Sequence, residues 1–327
     1  MTASIPEGEI LVGIYQRMTR IKQNDDRFRA VLKSGKLVMP YYSPRGQEVI
    51  PSAVSACLND EDYICTIYRG VHDMIAKGIP LKDLWAEFGG RATGTCKGKG
   101  GPMHVTHPAT GVMVTTGIVG SSMPIANGLA LAAQIRGEKR VSVAYFGDGA
   151  SNIGAFHEAL NMASVWKLPV VFVCQNNGYA EHTKYAYGTS VANIAQRAAA
   201  YSMPGITVDG NDPVATYRAA REAVDRARDG QGPSLIEAKT FRFHGHVFGD
   251  ADGYMDKGEK DAWMAKDPVP LLRNWLIATG LASEDYLASM EAAIEREIDE
   301  AVEFTLNSPY PDLAELKRDI FKDEVNV

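Results

Sequence analysis

The sequence contains few cysteines and no long hydrophobic run. The four cysteines of the 327-residue chain form no Cys-x-x-Cys pair. This spacing disfavours a disulfide framework or a zinc site and favours reduced thiols in a cytoplasmic protein. No apolar stretch approaches the roughly 20 residues that a membrane-spanning helix requires. The first residues are polar and acidic and resemble neither a signal peptide nor an arginine-rich transit peptide, which agrees with a cytoplasmic location.

The chain also lacks an excess of positive charge. Its 34 basic and 40 acidic residues give a formal net charge of -6, and no long basic block interrupts the sequence. We therefore expect no nucleic acid and no membrane as a principal partner. With 45% hydrophobic residues, the chain can bury a full α/β core.

The most informative segment comprises residues 147–179 together with the strand before it. Residues 140–146 alternate and are rich in β-formers, residues 151–166 place apolar side chains at helical spacing, and residues 170–174 form a second apolar run. A strand, helix and strand of this length cross over right-handed and leave the strands parallel. We therefore predict an α/β fold with a mostly parallel sheet flanked by helices on both faces.

Polar residues follow both predicted strands. Because parallel strands end at the same edge of a sheet, where ligands of open α/β folds bind, Asp148 and Asn177 should lie side by side. The helix predicted from Ser151 directs its N-terminus at this place and favours an anion such as a phosphate. A carboxylate, a side-chain amide and a main-chain carbonyl form an oxygen donor set that suits Mg²⁺. The alternative is a structural Asx turn after each strand, without a metal.

Other segments carry structural predictions. Residues 6–22 should form an amphipathic helix, with Ser4 and Pro6 as start signals. Residues 81–120 are dense in glycine and should be irregular surface structure that carries function. Residues 122–136 should form a helix of mostly small residues, which either packs against the sheet or contacts another subunit.

The chain resembles one known family along nearly its whole length. Gly-Asp-Gly followed by Asn-Asn at this distance is similar to the thiamine-diphosphate motif. The surrounding sequence resembles the alpha subunit of the decarboxylating component of 2-oxoacid dehydrogenase complexes, in the pyruvate and acetoin branch. The matching motifs are, in chain order, residues 45–48 (Arg-Gly-Gln-Glu), 68–70 (Tyr-Arg-Gly), 96–104, 117–120 (Gly-Ile-Val-Gly), 147–179 and 243–246 (Phe-His-Gly-His).

The resemblance implies a thiamine-diphosphate-binding fold and one domain for the whole chain, residues 1–327. Within it we expect an N-terminal helix and lead-in segment at 1–45, an α/β core at 46–245, an active-site loop at 246–262 and C-terminal helices at 263–327.

The resemblance also implies a metal and diphosphate site. Asp148, Asn177 and the main-chain oxygen of Tyr179 would bind Mg²⁺, which bridges the diphosphate of the cofactor. Tyr68 and Arg69 would hold diphosphate oxygens from the opposite side, since the planar guanidinium contacts two oxygens at once. The alternative for Tyr68 and Arg69 is a surface salt bridge.

Further cofactor contacts are implied at the turn that contains residues 117–120. The backbone of Gly117 would accept a hydrogen bond from the amino group of the aminopyrimidine ring, and Val119 would keep the cofactor bent, so that the amino group reaches the nucleophilic thiazolium carbon. Gly149 and Ala150 belong to the same implied cofactor-binding set. The alternative for residues 117–120 is a plain turn into the following helix.

Two histidines are candidates for proton transfer. An unperturbed imidazole titrates near neutrality, so it can exchange protons with a reacting carbonyl or bind a phosphate when protonated. The position of His246 contacts the cofactor in the related subunits, and we predict a catalytic role for it. His244 is the second catalytic candidate, with a structural histidine as its alternative.

The implied activity is that of an oxidoreductase. The chain would be the alpha subunit of a thiamine-diphosphate-dependent 2-oxoacid or acetoin dehydrogenase that passes an acyl unit to a lipoyl-bearing acyltransferase core. In this family the glutamate that activates the cofactor comes from a beta subunit, so we expect an α2β2 heterotetramer. Tyr42 occupies the position of a substrate-facing histidine of the family, which leaves the choice between a small 2-oxoacid and acetoin open.

Two alternative functions remain. A transketolase-type thiamine-diphosphate subunit would use the same Gly-Asp-Gly and Asn-Asn element without lipoyl transfer. A non-catalytic nucleotide-binding regulator would use a Rossmann-like sheet, but the chain contains no Gly-x-Gly-x-x-Gly to support that reading.

Residues 246–258 contain several glycines and aspartates and few apolar anchors. Ordering such a segment costs roughly 1–2 kcal/mol per residue, and glycine raises that cost. We predict a loop that is mobile without thiamine diphosphate and ordered with it. The alternative is a permanently ordered surface loop.

Overall fold

Within residues 8–320, eight β-strands form a six-stranded parallel sheet and a small hairpin. The structure, a computed structural model, describes residues 8–320, so the predicted start signals Ser4 and Pro6 lie outside the described residues. The strands are β1 (Tyr63–Ile67), β2 (Val112–Thr116), β3 (Ser142–Gly147), β4 (Val170–Asn176), β5 (Tyr179–Ala180), β6 (Thr183–Lys184), β7 (Gly205–Asp209) and β8 (Ser234–Lys239). The sheet order is β2-β1-β3-β4-β8-β7 with parallel neighbours throughout, whereas β5 and β6 pair antiparallel.

Helices cover both faces of the sheet. None of the helices within residues 8–320 combines the length and apolarity needed to cross a lipid bilayer. The helices are α1 (Gly8–Lys33), α2 (Val49–Ser55), α3 (Val71–Lys77), α4 (Leu81–Phe88), α5 (Ser122–Ile135), α6 (Gly154–Val165), α7 (Tyr185–Gly188), α8 (Pro213–Arg228), α9 (Lys257–Met264), α10 (Pro268–Ala278) and α11 (Glu284–Asn307).

The predicted α/β fold class is confirmed, and the local predictions need three corrections. The helix predicted from Ser151 begins later, because Asp148–Asn152 forms a 3-10 turn and the α-helix starts at Gly154. The N-terminal helix continues beyond Lys22 to Lys33, since Phe28 and other apolar residues extend its buried stripe. The glycine-dense region expected to be irregular contains α4 and the edge strand β2.

Alternate residues of the central strands point into two separate cores. On β3, Val143 and Tyr145 face the cluster beneath α1, α2 and α8, whereas Ala144 and Phe146 face the cluster beneath α5 and α6. Successive side chains of a strand point to opposite faces, and a sheet covered on both faces therefore reads as a nearly continuous apolar run. This explains why the β3 and β4 segments were recognisable in the sequence.

The small-residue helix α5 packs inside the chain on one face. Ala126, Ala130 and Ala133 are buried against the sheet, which bears out the prediction of internal packing. On the outer face Ile125 and Ile135 are 39% and 77% exposed. A contact between this outer face and another subunit stays a prediction.

A buried carboxylate organises the glycine-rich loop that follows α4. Glu87 is fully buried, and its carboxylate accepts hydrogen bonds from the peptide N–H groups of Cys96 (2.7 Å), Gly98 (2.9 Å), Gly100 (2.8 Å) and Gly101 (3.0 Å). Gly98 and Gly101 adopt φ values of 73° and 57°, which glycine tolerates best. The glycines of residues 96–104 thus let the backbone wrap around an internal anion.

We expect Glu87→Ala to open this loop locally. The change leaves peptide donors without a partner, at about 1–3 kcal/mol for each group that stays dry. Because the loop can relax toward water, trypsin should cleave faster after Lys97 and Lys99, with a smaller change in the melting temperature. Glu315→Gln is the control, since it removes ion pairs of the same two lysines and of Arg318 and leaves the peptide donors around Glu87 in place. Equal cleavage of both variants would contradict this account.

Candidate active site

A cavity of about 240 Å³ opens at the carboxyl edge of the sheet. It lies between the ends of β1 and β3, where the sheet order reverses, because the chain runs from β1 to β2 on one side and then returns to β3 on the other. Ligands of open α/β sheets bind at such switch points. The predicted site residues that line this cavity are Tyr68, Arg69, Val119, Asp148, Gly149, Ala150, Asn177 and Tyr179.

The structure brings Asp148 and Asn177 together as predicted from the parallel strands. Gly147 at the end of β3 is in register with Gln175 of β4. The peptide N–H of Asn177 is close enough to the Asp148 carboxylate to lower its pKa, against the larger opposing effect of burial. Two residues that are distant in the sequence therefore form one polar corner of the cavity.

One oxygen of the Asp148 carboxylate has no partner within residues 8–320. The side chain is 2% exposed, and its Oδ2 atom has no hydrogen-bond partner among the described residues. Burial raises the pKa of Asp148 to about 6. A buried carboxylate oxygen without a donor is unfavourable, and a bound cation would relieve it. The Asx-turn alternative therefore does not account for Asp148.

The Asx-turn alternative does describe Asn177 in part. Its Oδ1 atom accepts a hydrogen bond from the peptide N–H of Tyr179 over 3.1 Å, and its Nδ2 atom donates to Gln47 Oε1 over 2.9 Å. Within residues 8–320 no group of three or more His, Cys, Asp and Glu side chains could hold a metal ion. The predicted magnesium site has a different composition, with one carboxylate, one amide and one main-chain oxygen, and the residues present fit it.

Gln47 holds Asn177 in place, a role that the sequence did not reveal. Gln47 is fully buried, and its Nε2 atom has no partner among the described residues. Gly46 before it has a φ of 96°, and a Cβ atom there would lie 2.2 Å from the Phe241 carbonyl oxygen. Only glycine permits this approach. The motif at residues 45–48 therefore positions an amide against the polar corner formed by Asp148 and Asn177.

Two buried arginines face the cavity without a carboxylate partner among the described residues. Arg69 is 3% exposed and donates to the main-chain oxygen of His246 over 2.9 Å. Arg242 is 1% exposed and donates to the main-chain oxygens of His244 (3.0 Å) and Glu181 (3.1 Å). Since Arg69 is buried and bound to main-chain oxygens, the alternative of a surface salt bridge is wrong.

Their uncompensated charges make the cavity a site for an anion. Burial, together with the charge of Arg242, lowers the pKa of Arg69 to about 10, so the guanidinium stays protonated at neutral pH. A phosphate group would neutralise both arginines and accept hydrogen bonds from their remaining N–H groups. The role of Arg242 was not predicted from the sequence. Its signal is a charged residue between two phenylalanines, Phe241 and Phe243, just after the apolar run of β8.

His246 lies beside Arg69 and Tyr68 but is not among the residues that line the cavity. Its Nδ1 atom is 3.2 Å from Arg69 Nη2, and its ring is 5.9 Å from the Tyr68 ring and 5.4 Å from the Tyr42 ring. Burial and the charge of Arg69 lower the pKa of His246 to about 4, so the imidazole is neutral here. An anion bound at Arg69 would raise that pKa again.

His244 does not line the cavity. Its side chain is half-buried, and its pKa is lowered by burial and by the charge of Arg29 on α1. Its main-chain oxygen, in contrast, accepts a hydrogen bond from Arg242. A catalytic role for the His244 side chain stays a prediction.

The turn that contains Gly117 and Val119 is ordered by side-chain hydrogen bonds. The peptide N–H of Ile118 donates to Thr116 Oγ1 over 3.0 Å, and Ser121 Oγ donates to the Ile118 oxygen over 2.9 Å. Val119 lines the cavity, whereas Gly117 lies just outside its lining. Ile118 and Val119 are 71% and 49% exposed, and a cofactor contact at this turn stays a prediction.

The loop after His246 is better anchored than the sequence indicated. The Asp250 carboxylate accepts hydrogen bonds from the peptide N–H of His246 (2.6 Å) and from the Tyr254 hydroxyl (2.8 Å). Met255 is buried in a small cluster with Tyr179 and two phenylalanines. The active-site loop was predicted to extend from residue 246 to residue 262. Its last residues, 257–262, instead belong to helix α9, which begins at Lys257.

Fold and site together define an open α/β protein whose switch-point cavity is lined by a buried carboxylate and two buried guanidinium groups. The sequence profile of the family described as dehydrogenase E1 component matches residues 16–314. The chain belongs to this family.

Several characterised relatives cover nearly the whole chain. The alpha subunit of acetoin:2,6-dichlorophenolindophenol oxidoreductase from Bacillus subtilis (strain 168) is 44% identical over 309 residues, 94% of this chain and 92% of that protein. The subunit of the same name from Cupriavidus necator is 38% identical over 322 residues, 98% and 97% of the two chains. The pyruvate dehydrogenase E1 component subunit alpha of Porphyra purpurea is 36% identical over 320 residues, 96% and 93% of the two chains.

The family relationship confirms the resemblance noted in the sequence. It also confirms the predicted class of enzyme, a thiamine-diphosphate-dependent oxidoreductase of the pyruvate or acetoin dehydrogenase type. Neither a transketolase-type subunit nor a non-catalytic nucleotide-binding regulator is favoured by these relatives.

We expect thiamine diphosphate with Mg²⁺ to slow trypsin cleavage after Lys257. The diphosphate would recruit His246 at the base of the loop and stabilise its ordered form by mass action. Asp250→Ala should speed cleavage in both conditions, because it removes the carboxylate that ties the loop together. Cleavage after the exposed Lys36 is the internal control and should not respond to the cofactor. Equal cutting after Lys257 with and without cofactor would defeat this prediction.

Proposed function

We propose that this chain is the cofactor-binding alpha subunit of a 2-oxoacid or acetoin dehydrogenase, with Mg²⁺ as the metal. The observation that carries this proposal is the charge pattern of one cavity. The unsatisfied carboxylate of Asp148 lies at one side, and the uncompensated guanidinium groups of Arg69 and Arg242 lie at another. A diphosphate bridged by a divalent cation complements both halves of this pattern.

The metal would be held by Asp148, Asn177 and the main-chain oxygen of Tyr179. Gln47 supports this set, because it fixes the amide of Asn177. Gly149 lets the backbone come close to the diphosphate, since it has no side chain at the cavity wall. Ala150 lies in the middle of the 3-10 turn Asp148–Asn152, whose first peptide N–H groups would favour an anion.

The rest of the cofactor would lie along the turn of residues 117–120. When bound, thiamine diphosphate supplies the nucleophilic carbon and the electron sink for cleaving a bond next to a carbonyl group. Gly117 offers a main-chain oxygen to the ring amino group, and the half-exposed Val119 provides an apolar support for the bent cofactor. His246 can hold a proton on its imidazole once an anion at Arg69 raises its pKa.

The site would be completed by a beta subunit in an α2β2 heterotetramer. The relatives carry the name subunit alpha, which supports a second kind of chain. Asp148, which lines the cavity, is assigned to the metal. As the resemblance to the family implies, the carboxylate that activates the cofactor would come from the beta subunit. The exposed face of α5 and the apolar turn before it would lie against this beta subunit.

The substrate would be a small 2-oxoacid or acetoin, and the acyl unit would pass to a lipoyl-bearing acyltransferase core. Tyr42 packs edge-on against Tyr68 at 4.7 Å and against His246, which places it beside the cavity. Relatives named for acetoin and for pyruvate both align along nearly the full chain. We also propose a single domain spanning residues 1–327 and a cytoplasmic location, which the four free cysteines support.

We expect Asp148→Ala to abolish cofactor-dependent activity in a folded protein. Removing one partner of a buried charge pair costs roughly 2–5 kcal/mol, and titration calorimetry should show a matching loss of affinity for thiamine diphosphate with Mg²⁺. Normal affinity would refute the metal assignment. Asp212→Asn, which changes an exposed cap of α8, is the control and should bind normally.

Because the pKa of Asp148 is raised, the affinity of the site for Mg²⁺ should depend on pH. Because the pKa is about 6, protons compete with the metal in more acidic solution, and Mg²⁺ affinity should fall as pH drops below that value. Asp148→Asn has no titrating carboxyl group and should lose this dependence.

Reconstitution tests the proposed function as a whole. We expect the isolated chain to be folded but inactive, because the activating carboxylate is proposed to come from the beta subunit. With a beta subunit, thiamine diphosphate and Mg²⁺, it should reduce an artificial dye with pyruvate or acetoin as the substrate. Turnover by the isolated chain would contradict the shared site. A fully reconstituted complex that acts on neither class of substrate would contradict the function.

A further inference from the structure

Asp73 of α3 carries a buried carboxyl group that the proposed chemistry does not use. It is fully buried, and no lysine or arginine among residues 8–320 forms an ion pair with it. The His72 ring lies 3.7 Å away, but burial lowers the pKa of that imidazole to about 3, so it carries no charge. Burial raises the pKa of Asp73 itself to about 7. Such a group destabilises a fold unless its hydrogen bonds offset the loss of water.

The hydrogen bonds that Asp73 accepts come from two different strands. Thr66 Oγ1 of β1 donates to Oδ2, and Gln175 Nε2 of β4 donates to Oδ1 over 2.7 Å. These strands are not neighbours, because β3 lies between them. One carboxyl group thus spans the central strand and joins two strands that share no backbone hydrogen bonds.

Both donors lie just before residues that line the cavity. Thr66 is three residues before Arg69, and Gln175 is two residues before Asn177. Gly70 allows α3 to come this close, since a Cβ atom there would lie 2.2 Å from Thr66 Oγ1. The geometry connects the anion-binding half of the cavity to its metal-binding half through one buried side chain.

We propose that Asp73 is a positioning residue that sets the separation of the Arg69 and Asn177 halves of the cofactor site. This inference rests on the proposed function only in taking the ligand to be thiamine diphosphate with Mg²⁺. A leucine would fill the same space without burying a polar group. The acid instead fixes two strand ends, and a diphosphate bridged by a metal ion requires both ends at a defined distance.

This role is tested by equilibrium titration of thiamine diphosphate with Mg²⁺ into the complex of the alpha and beta subunits. Asp73→Leu keeps the volume and removes both hydrogen bonds, so Kd should rise by about tenfold or more. Asp73→Asn can still accept from Gln175 and donate to Thr66, and its Kd should stay within about twofold of the natural chain. The kcat of the saturated Asp73→Leu complex should change less than its affinity.

Asp62 offers a matched control at the opposite edge of the same sheet. It is equally buried, precedes β1, and accepts hydrogen bonds from the peptide N–H groups of Asn59 (2.7 Å) and Val141 (2.8 Å), with Arg228 as its ion-pair partner. Asp62→Asn disturbs a buried carboxylate far from the cavity. We expect a lower melting temperature and unchanged cofactor affinity.

Two further variants keep the inference falsifiable if Asp73→Leu does not fold. Gln175→Met and Thr66→Val each remove one of the two hydrogen bonds and should each weaken cofactor binding. In a folded Asp73→Leu background, Gln175→Met should add little, because the two changes remove the same interaction.

Three results would overturn the inference. They are unchanged affinity in folded Asp73→Leu, unchanged affinity in both single-bond variants, and an equal loss of affinity in Asp62→Asn. Absence of thiamine diphosphate binding by the natural complex would overturn the proposed function, and this inference with it.

Discussion

The parallel alignment of β1, β3 and β4 is the constraint on which the candidate site depends. It places the residues after three strands at one edge, where Arg69, Asp148 and Asn177 surround a single cavity. No side-chain contact alone could hold these groups together, since they follow three separate strands. The backbone register supplies the coarse geometry, and buried side chains such as Gln47 and Asp73 adjust it.

The groups at this edge are costly for the isolated chain. A buried carboxylate oxygen at Asp148 has no donor, and two buried guanidinium groups have no carboxylate, within the residues described. Natural folds retain such groups mainly where function requires them. The two apolar cores offset the free-energy cost of keeping Arg69 and Arg242 away from water. A ligand that neutralises these charges would remove part of this cost, and its binding would be stronger by that amount.

The sequence predicted the parts of the site whose signals are local. Asp148 and Asn177 follow apolar runs that are recognisable as buried strands, and the crossover rule then places them together. The roles of three other residues were not predicted, because each contacts a partner that only the tertiary fold brings near. These residues are Arg242, Asp250 and Gln47. The strand β2 escaped for another reason, since its short run lies among glycines that favour irregular structure.

Cofactor binding should therefore also reverse the pH dependence of stability that Asp148 creates. Without a cation, burial holds the pKa of this carboxyl group at about 6, above its unfolded value. Its stabilising contribution is then complete in acid and is lost as pH rises through about 6. A metal ion favours the ionised form, so the contribution grows with pH instead. With the proposed metal bound, the ionised Asp148 would therefore stabilise the fold at neutral pH instead of weakening it.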